Sequence, residues 1–154
     1  MRKSNKKGFT LVELVVVIAI IGVLAAILVP TMMNYVKKAR LKTANANAKL
    51  IFTTCNNTAS DMIADNKSVT ALNYGSGLVS GLAGQGPLAE AVLVALRDNG
   101  GDTGYCKISF DPTIDDDVTT TTNEAYWCGS SDKLICGKYP NPPKDVKSAK
   151  GLMT

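Results

Sequence analysis

The chain contains no histidine. A Ser–His or Cys–His nucleophile–base pair needs an imidazole that titrates near neutral pH, so that chemistry is excluded. Mixed cysteine–histidine zinc sites fall with it. The four cysteines, Cys55, Cys106, Cys128 and Cys136, contain no C-x-x-C pair to build a metal site alone, so no metal is expected. There is no Gly-x-Ser-x-Gly turn. Gly75-Ser-Gly77 and Gly84-Gln-Gly86 do not sit between a clear strand and a helix as a phosphate-cradling loop must, and read as loop punctuation. No enzyme activity, cofactor or small-molecule substrate is therefore expected.

Acidic residues are missing from Met1–Gly8, which carries Arg2, Lys3, Lys6 and Lys7. Charge is then nearly missing from Phe9–Val29, 21 residues whose single charged side chain is Glu13. A helix of that length spans about 31 Å, the hydrocarbon thickness of a bilayer. A carboxylate in such a segment costs on the order of 3 kcal/mol at mid-bilayer, so Glu13 is a functional residue in need of a partner. The small-residue cleavage site that closes an ordinary secretory signal is also absent, because Pro30-Thr-Met-Met33 follows the run. The small residue, Gly8, comes before it.

A basic leader, a glycine, Phe9-Thr-Leu-Val-Glu13-Leu14 and a long apolar stretch together resemble the type IV prepilin family and its class III signal peptide. The resemblance covers about the first 40 residues. It implies that a membrane prepilin peptidase removes residues 1–8 by cutting between Gly8 and Phe9, and that the new Phe9 terminus is N-methylated. Glycine suits the scissile site because it has no side chain to exclude the peptidase. The resemblance further implies that Glu13 of one subunit pairs with the Phe9 ammonium of its neighbour and sets axial register in a filament. The implied partners are sister subunits, minor pilins, the peptidase, an inner-membrane assembly platform, and the lipid bilayer before assembly. The implied localisation is a single-pass cytoplasmic-membrane precursor with its head outside, then an extracellular filament serving adhesion, twitching motility or surface attachment. A pseudopilin of a type II secretion or DNA-uptake machine shares the same motif and is the alternative. A plain signal anchor explains neither Gly8-Phe9 nor Glu13.

The formal charge of +4 belongs to the leader, since residues 9–154 hold 13 basic and 13 acidic side chains. Lys37, Lys38, Arg40, Lys42 and Lys49 cluster just past the apolar run with no acid among them. Such a collar suits anionic head groups, or pairing with the acidic head of another subunit. It shows no interleaved aromatics, and nucleic acid is not an expected partner.

The fold class expected is α+β: a long helix packed by its second half on a small antiparallel sheet. Residues 9–29 form the transmembrane and assembly helix, with Gly22 as a weak point and a kink or local melting expected at Pro30. Residues 30–65 continue as an amphipathic helix burying Val36, Ala39, Thr43, Ala46, Leu50, Ile51, Cys55, Ala59 and Met62, with Asn45 facing water. The head covers 66–154. Its first part, 66–86, reads as a glycine-rich loop. A helix over 87–98 starts at Pro87, buries Leu88, Val92, Ala95 and Leu96, and stops at Asn99-Gly100-Gly101. Strands are expected near 105–110, 123–128 and 133–139, then an irregular tail after Pro140. Asp115-Asp-Asp117 lacks spaced ligands and a turn glycine, so it reads as a solvated acidic loop, with no calcium site assigned. Four cysteines allow three pairings. The turn at 129–132 favours Cys128–Cys136, which leaves Cys55–Cys106, with free buried thiols as the alternative.

Overall fold

The computed structural model describes residues 8–112, 123–129 and 134–153. The chain divides into two compact units, residues 1–36 and 37–154. One helix, α1 (Leu11–Ala64), extends from the first unit into the second and remains helical at Pro30, so the helix does not melt there. In the first unit every described side chain is exposed. Val, Ile, Leu and Ala cover α1 on all sides, and a helix apolar all round buries itself against lipid or other helices.

The second unit forms around the rest of α1. Leu41, Ala44, Asn47, Ala48, Ile51, Cys55 and Ala59 recur every three or four residues and are buried. This corrects the lower half of the stripe expected from periodicity. Ile51, Cys55 and Ala59 are buried as expected, but Val36, Ala39, Thr43 and Ala46 are exposed. Alanine occupies several faces of this segment, so apolarity alone does not set its phase. Close partners do: Asn47 packs beside Gly101, and Gly137 lies on the backbone at Ala44. Asn45 is half-buried, and its amide donates to the Pro143 carbonyl at 3.0 Å.

Residues 66–86 are not simply a loop. They contain strand β1 (Leu72–Leu78) and a short 3₁₀ turn at Val79–Leu82. The Tyr74 ring supplies the physical reason. Its hydroxyl donates to the Leu78 carbonyl at 2.8 Å, and a Cβ at Gly77 would fall 2.6 Å from the same hydroxyl oxygen. Gly77, and Gly81 in the turn, make room for the ring, and pairing with the next strand supplies the order. Helix α2 (Pro87–Asp98) starts with Pro87 and buries Leu88, Ala89, Val92 and Leu96. It ends in a Schellman turn: Gly101 N–H donates to the Leu96 carbonyl at 2.7 Å and Gly100 N–H to Arg97 at 3.2 Å. Gly100 has a φ of +70°, the left-handed position at which glycine carries no Cβ penalty.

Strands β2 (Tyr105–Phe110), β3 (Glu124–Cys128) and β4 (Cys136–Tyr139) follow. The sheet is an antiparallel meander in the order β1-β2-β3-β4, four strands where three were expected. Cys106, Ile108 and Phe110 alternate into the core with Ala125 and Trp127. The Trp127 indole N–H donates to the Gly101 carbonyl at 2.9 Å, which satisfies a buried donor. The segment after Pro140 is irregular but tied down, with Ala149 and Met153 buried and Cys136 N–H donating to the Ala149 carbonyl at 3.1 Å. The acidic triplet at 115–117 lies outside the described residues.

Candidate functional site at the start of the long helix

The four apolar or small residues Gly8, Phe9, Leu11 and Val12 make no enclosed site, and Phe9 is 84 % exposed. Two polar side chains among them do interact. Thr10 precedes the first helical residue, Leu11, and Glu13 is the third residue of the helix. The Thr10 backbone N–H donates to Glu13 Oε2 at 2.9 Å, and the Thr10 hydroxyl donates to the same oxygen at 2.8 Å. In return the Glu13 backbone N–H donates to Thr10 Oγ1 at 3.3 Å. This reciprocal arrangement is a capping box, in which two of the unpaired donors at a helix N-terminus are satisfied. The carboxylate also lies at the positive end of the helix dipole.

The capping box gives Glu13 an intrachain partner besides any ammonium. All the hydrogen bonds described at its carboxylate fall on Oε2, which leaves Oε1 available as an acceptor. Thr10 carries no role in a reading based on apolarity and charge. Its signal is nevertheless in the sequence, because Thr-x-x-Glu ahead of an apolar run is a helix-start signature. Peptide cleavage between Gly8 and Phe9 would leave this box intact, since the Phe9–Thr10 amide is retained. Neither Gly8 nor Gly22 is packed against anything, as no atom lies within 4 Å of a Cβ built at either. The fold of this chain therefore makes no demand for glycine at position 8.

The cysteines lie in the second unit. Cys128 and Cys136 are paired across β3 and β4 and are disulfide-bonded. Closing so short a loop restricts the unfolded chain by roughly 2.5 kcal/mol. Met153 Sδ covers Cys128 Sγ at 3.0 Å. Cys55 and Cys106 do not bridge here: α1 and β2 bring both into one core cluster, where both are free and fully buried thiols. Burial pushes each thiol up to about 12, with the neighbouring Cys55 adding to the shift at Cys106, so neither offers a thiolate for exchange near neutral pH. At pH 8 the native chain is expected to resist iodoacetamide. Denaturation without reductant should then expose two alkylation sites by mass spectrometry, and none would mean that Cys55 and Cys106 are bridged. Among the described residues no cluster of three or more metal-ligating side chains forms.

A family signature described as the prokaryotic N-terminal methylation motif matches residues 3–29. A fimbrial protein of Moraxella nonliquefaciens is 33 % identical over 149 residues, 96 % of this chain and 83 % of that one. The chain belongs to the type IV pilin family. It is also 54 % identical over 39 residues to the type IV major fimbrial protein FimA of Dichelobacter nodosus, a match spanning a quarter of each chain. A further match, 39 % over 51 residues, is to the type II secretion system core protein G of Pseudomonas aeruginosa, covering 33 % of this chain and 36 % of that one. The family signature lies on the apolar segment, and the Moraxella match covers nearly the whole chain. No solved structure matches the chain.

Proposed function

We propose that this pilin-family chain is the structural subunit of a type IV pilus, assembled through α1 after removal of residues 1–8. The observation that carries the reading is a capped carboxylate, Glu13, at the start of a helix whose apolar side chains are exposed all round. Such a helix is long and apolar enough to cross a membrane. A prepilin peptidase cuts between Gly8 and Phe9 and methylates the new amine, which stays cationic. Before assembly the subunit spans the cytoplasmic membrane; afterwards it belongs to an extracellular filament.

In the filament, sister helices replace lipid around α1, and Glu13 needs a counter-charge there. The Phe9 ammonium of the neighbouring subunit supplies it at the free Oε1, while Thr10 keeps Oε2 in place. An ion pair of this kind contributes more to register than to net stability. The contact is head-to-tail and does not close on itself, so it builds a fibre with the help of an assembly platform. Gly22 and Pro30 are the points at which α1 adapts its curvature to sister helices. The role is structural and involves no catalysis by this chain. A pseudopilin role is the second reading, favoured by the match to the secretion protein, but that match is confined to 51 residues.

The test is Glu13→Val in the producing strain. The variant loses the capping acceptor and the counter-charge but gains apolar surface, so insertion and cleavage should persist. An unpaired Phe9 ammonium in the filament costs roughly 3–5 kcal/mol, and sheared surface filaments are expected to fall at least tenfold. Normal filament yield would refute the assembly role of Glu13.

A further inference from the structure

The basic collar is left unused by the assembly reading. Lys37, Lys38, Arg40, Lys42 and Lys49 are all exposed, and none makes an ion pair among the described residues. Its position along the chain is informative. From Leu14 to Val36 the sequence holds 23 residues without a charge, bounded by Glu13 on one side and Lys37 on the other. That is about 34 Å of helix, a hydrocarbon core with part of its interfaces. Tyr35, 71 % exposed, is two residues before the first lysine, where interfacial aromatics belong.

The angular distribution discriminates between partners. At about 100° per residue, Lys37, Lys38, Arg40 and Lys42 fan over an arc of about 200° of α1 within less than two turns, Lys38 and Lys42 to one side and Lys37 and Arg40 to the other. A docked macromolecule meets a narrower face of a helix than this arc, whereas lipid head groups surround a spanning helix. The leader has sufficient positive charge to set topology, so a second basic cluster on the other side of the span is not needed for orientation and works against it.

We propose that the Lys37–Lys42 collar binds the phosphates of anionic lipid head groups in the leaflet on the head-domain side and so fixes the height of the subunit in the membrane. The proposal rests on the membrane-crossing reading of α1. With the collar at that interface, Leu14–Val36 fills the bilayer and Glu13, held by Thr10, reaches the opposite interface, where its charge is tolerated. A cation near an anionic surface strengthens association by about fivefold.

The experiment compares the full chain with a K37Q/K38Q/R40Q/K42Q variant, both reconstituted in vesicles of four parts phosphatidylcholine to one part phosphatidylglycerol. Spin-labelled versions of the two lipids report the fraction immobilised at the protein, and the leader is common to both proteins. The parent is expected to prefer phosphatidylglycerol severalfold, and the variant to lose at least two-thirds of that preference. An all-arginine or all-lysine collar should retain it, and 0.5 M salt should weaken it. Equal preference in parent and variant, with both resisting alkaline extraction, overturns the collar proposal and leaves the span intact. Alkaline extraction of the parent overturns the membrane-crossing reading, and the collar proposal with it. An unchanged lipid preference accompanied by lost filament assembly or lost DNA retention assigns the collar to a second copy or to nucleic acid instead, which also overturns it.

Discussion

A Gly8→Leu chain is expected to accumulate as uncleaved precursor, with processing at least 100-fold slower and no surface filaments. A hundredfold loss corresponds to about 2.7 kcal/mol of transition-state stabilisation, the scale of one side chain forced against the wall of a fitted active site. The expectation is sharp because this chain itself tolerates the change. Gly8 is exposed, precedes α1, has no atom within 4 Å of a built Cβ and needs no left-handed backbone. The variant should therefore fold and insert like the parent, and the effect should appear only at the peptidase. Mass spectrometry of the N-terminal peptide gives the answer. A mature chain starting at Phe9 in normal amount would show that glycine is not required and that the cleavage assignment is unsound.

Gly137→Ala is expected to be the most damaging small substitution in the head. A Cβ there would fall on the Ala44 carbonyl carbon and oxygen and beside the Asn45 nitrogen, all backbone atoms of α1 that cannot rotate away. β4 would have to withdraw, but it is held by pairing of Gly137 with Trp127 and by the adjacent Cys128–Cys136 bridge. The cost should be roughly 3 kcal/mol or more, against a total of about 5–15 kcal/mol for a domain of this kind. The midpoint of thermal unfolding should fall by about 10 °C or more. Gly75→Ala is the control, because nothing lies within 4 Å of a Cβ there and its effect should be under about 1 kcal/mol. Equal melting of the two variants would refute the close contact of β4 with α1.

Features carried by contiguous residues were legible in the sequence. The apolar run, its lone Glu13, the preceding Gly8-Phe9 and the basic collar need no folding to be recognised, and they led to the family that the fimbrial similarity over 96 % of this chain established. α2 was legible because Pro87 and Gly100 mark its ends and its buried stripe keeps a period of 3.6. β2 was legible because Cys106, Ile108 and Phe110 alternate. Even the Thr10–Glu13 cap is local, and its signature was present though overshadowed by the charge of Glu13.

What lay beyond the sequence depends on residues far apart in the chain. β1 has glycines where strand formers are expected, and it becomes a strand because β2 pairs with it and the Tyr74 ring occupies the space left at Gly77. The phase of the α1 stripe was ambiguous among its alanines and was decided by Gly101 and Gly137, residues from α2's end and β4. The proline- and lysine-rich tail is irregular as its sequence implies, yet Ala149 and Met153 are buried against the bridged strands, which no local signal marks. Likewise, cysteine count allowed a second bridge, while the packed core holds Cys55 and Cys106 as buried thiols. Short-range pattern thus determined the helices, the membrane-length segment and the family, because helical period and end signals act within a few residues. Tertiary packing alone decided the edge strand, the buried face of α1 and the cysteine states, because each requires a partner the local sequence does not contain.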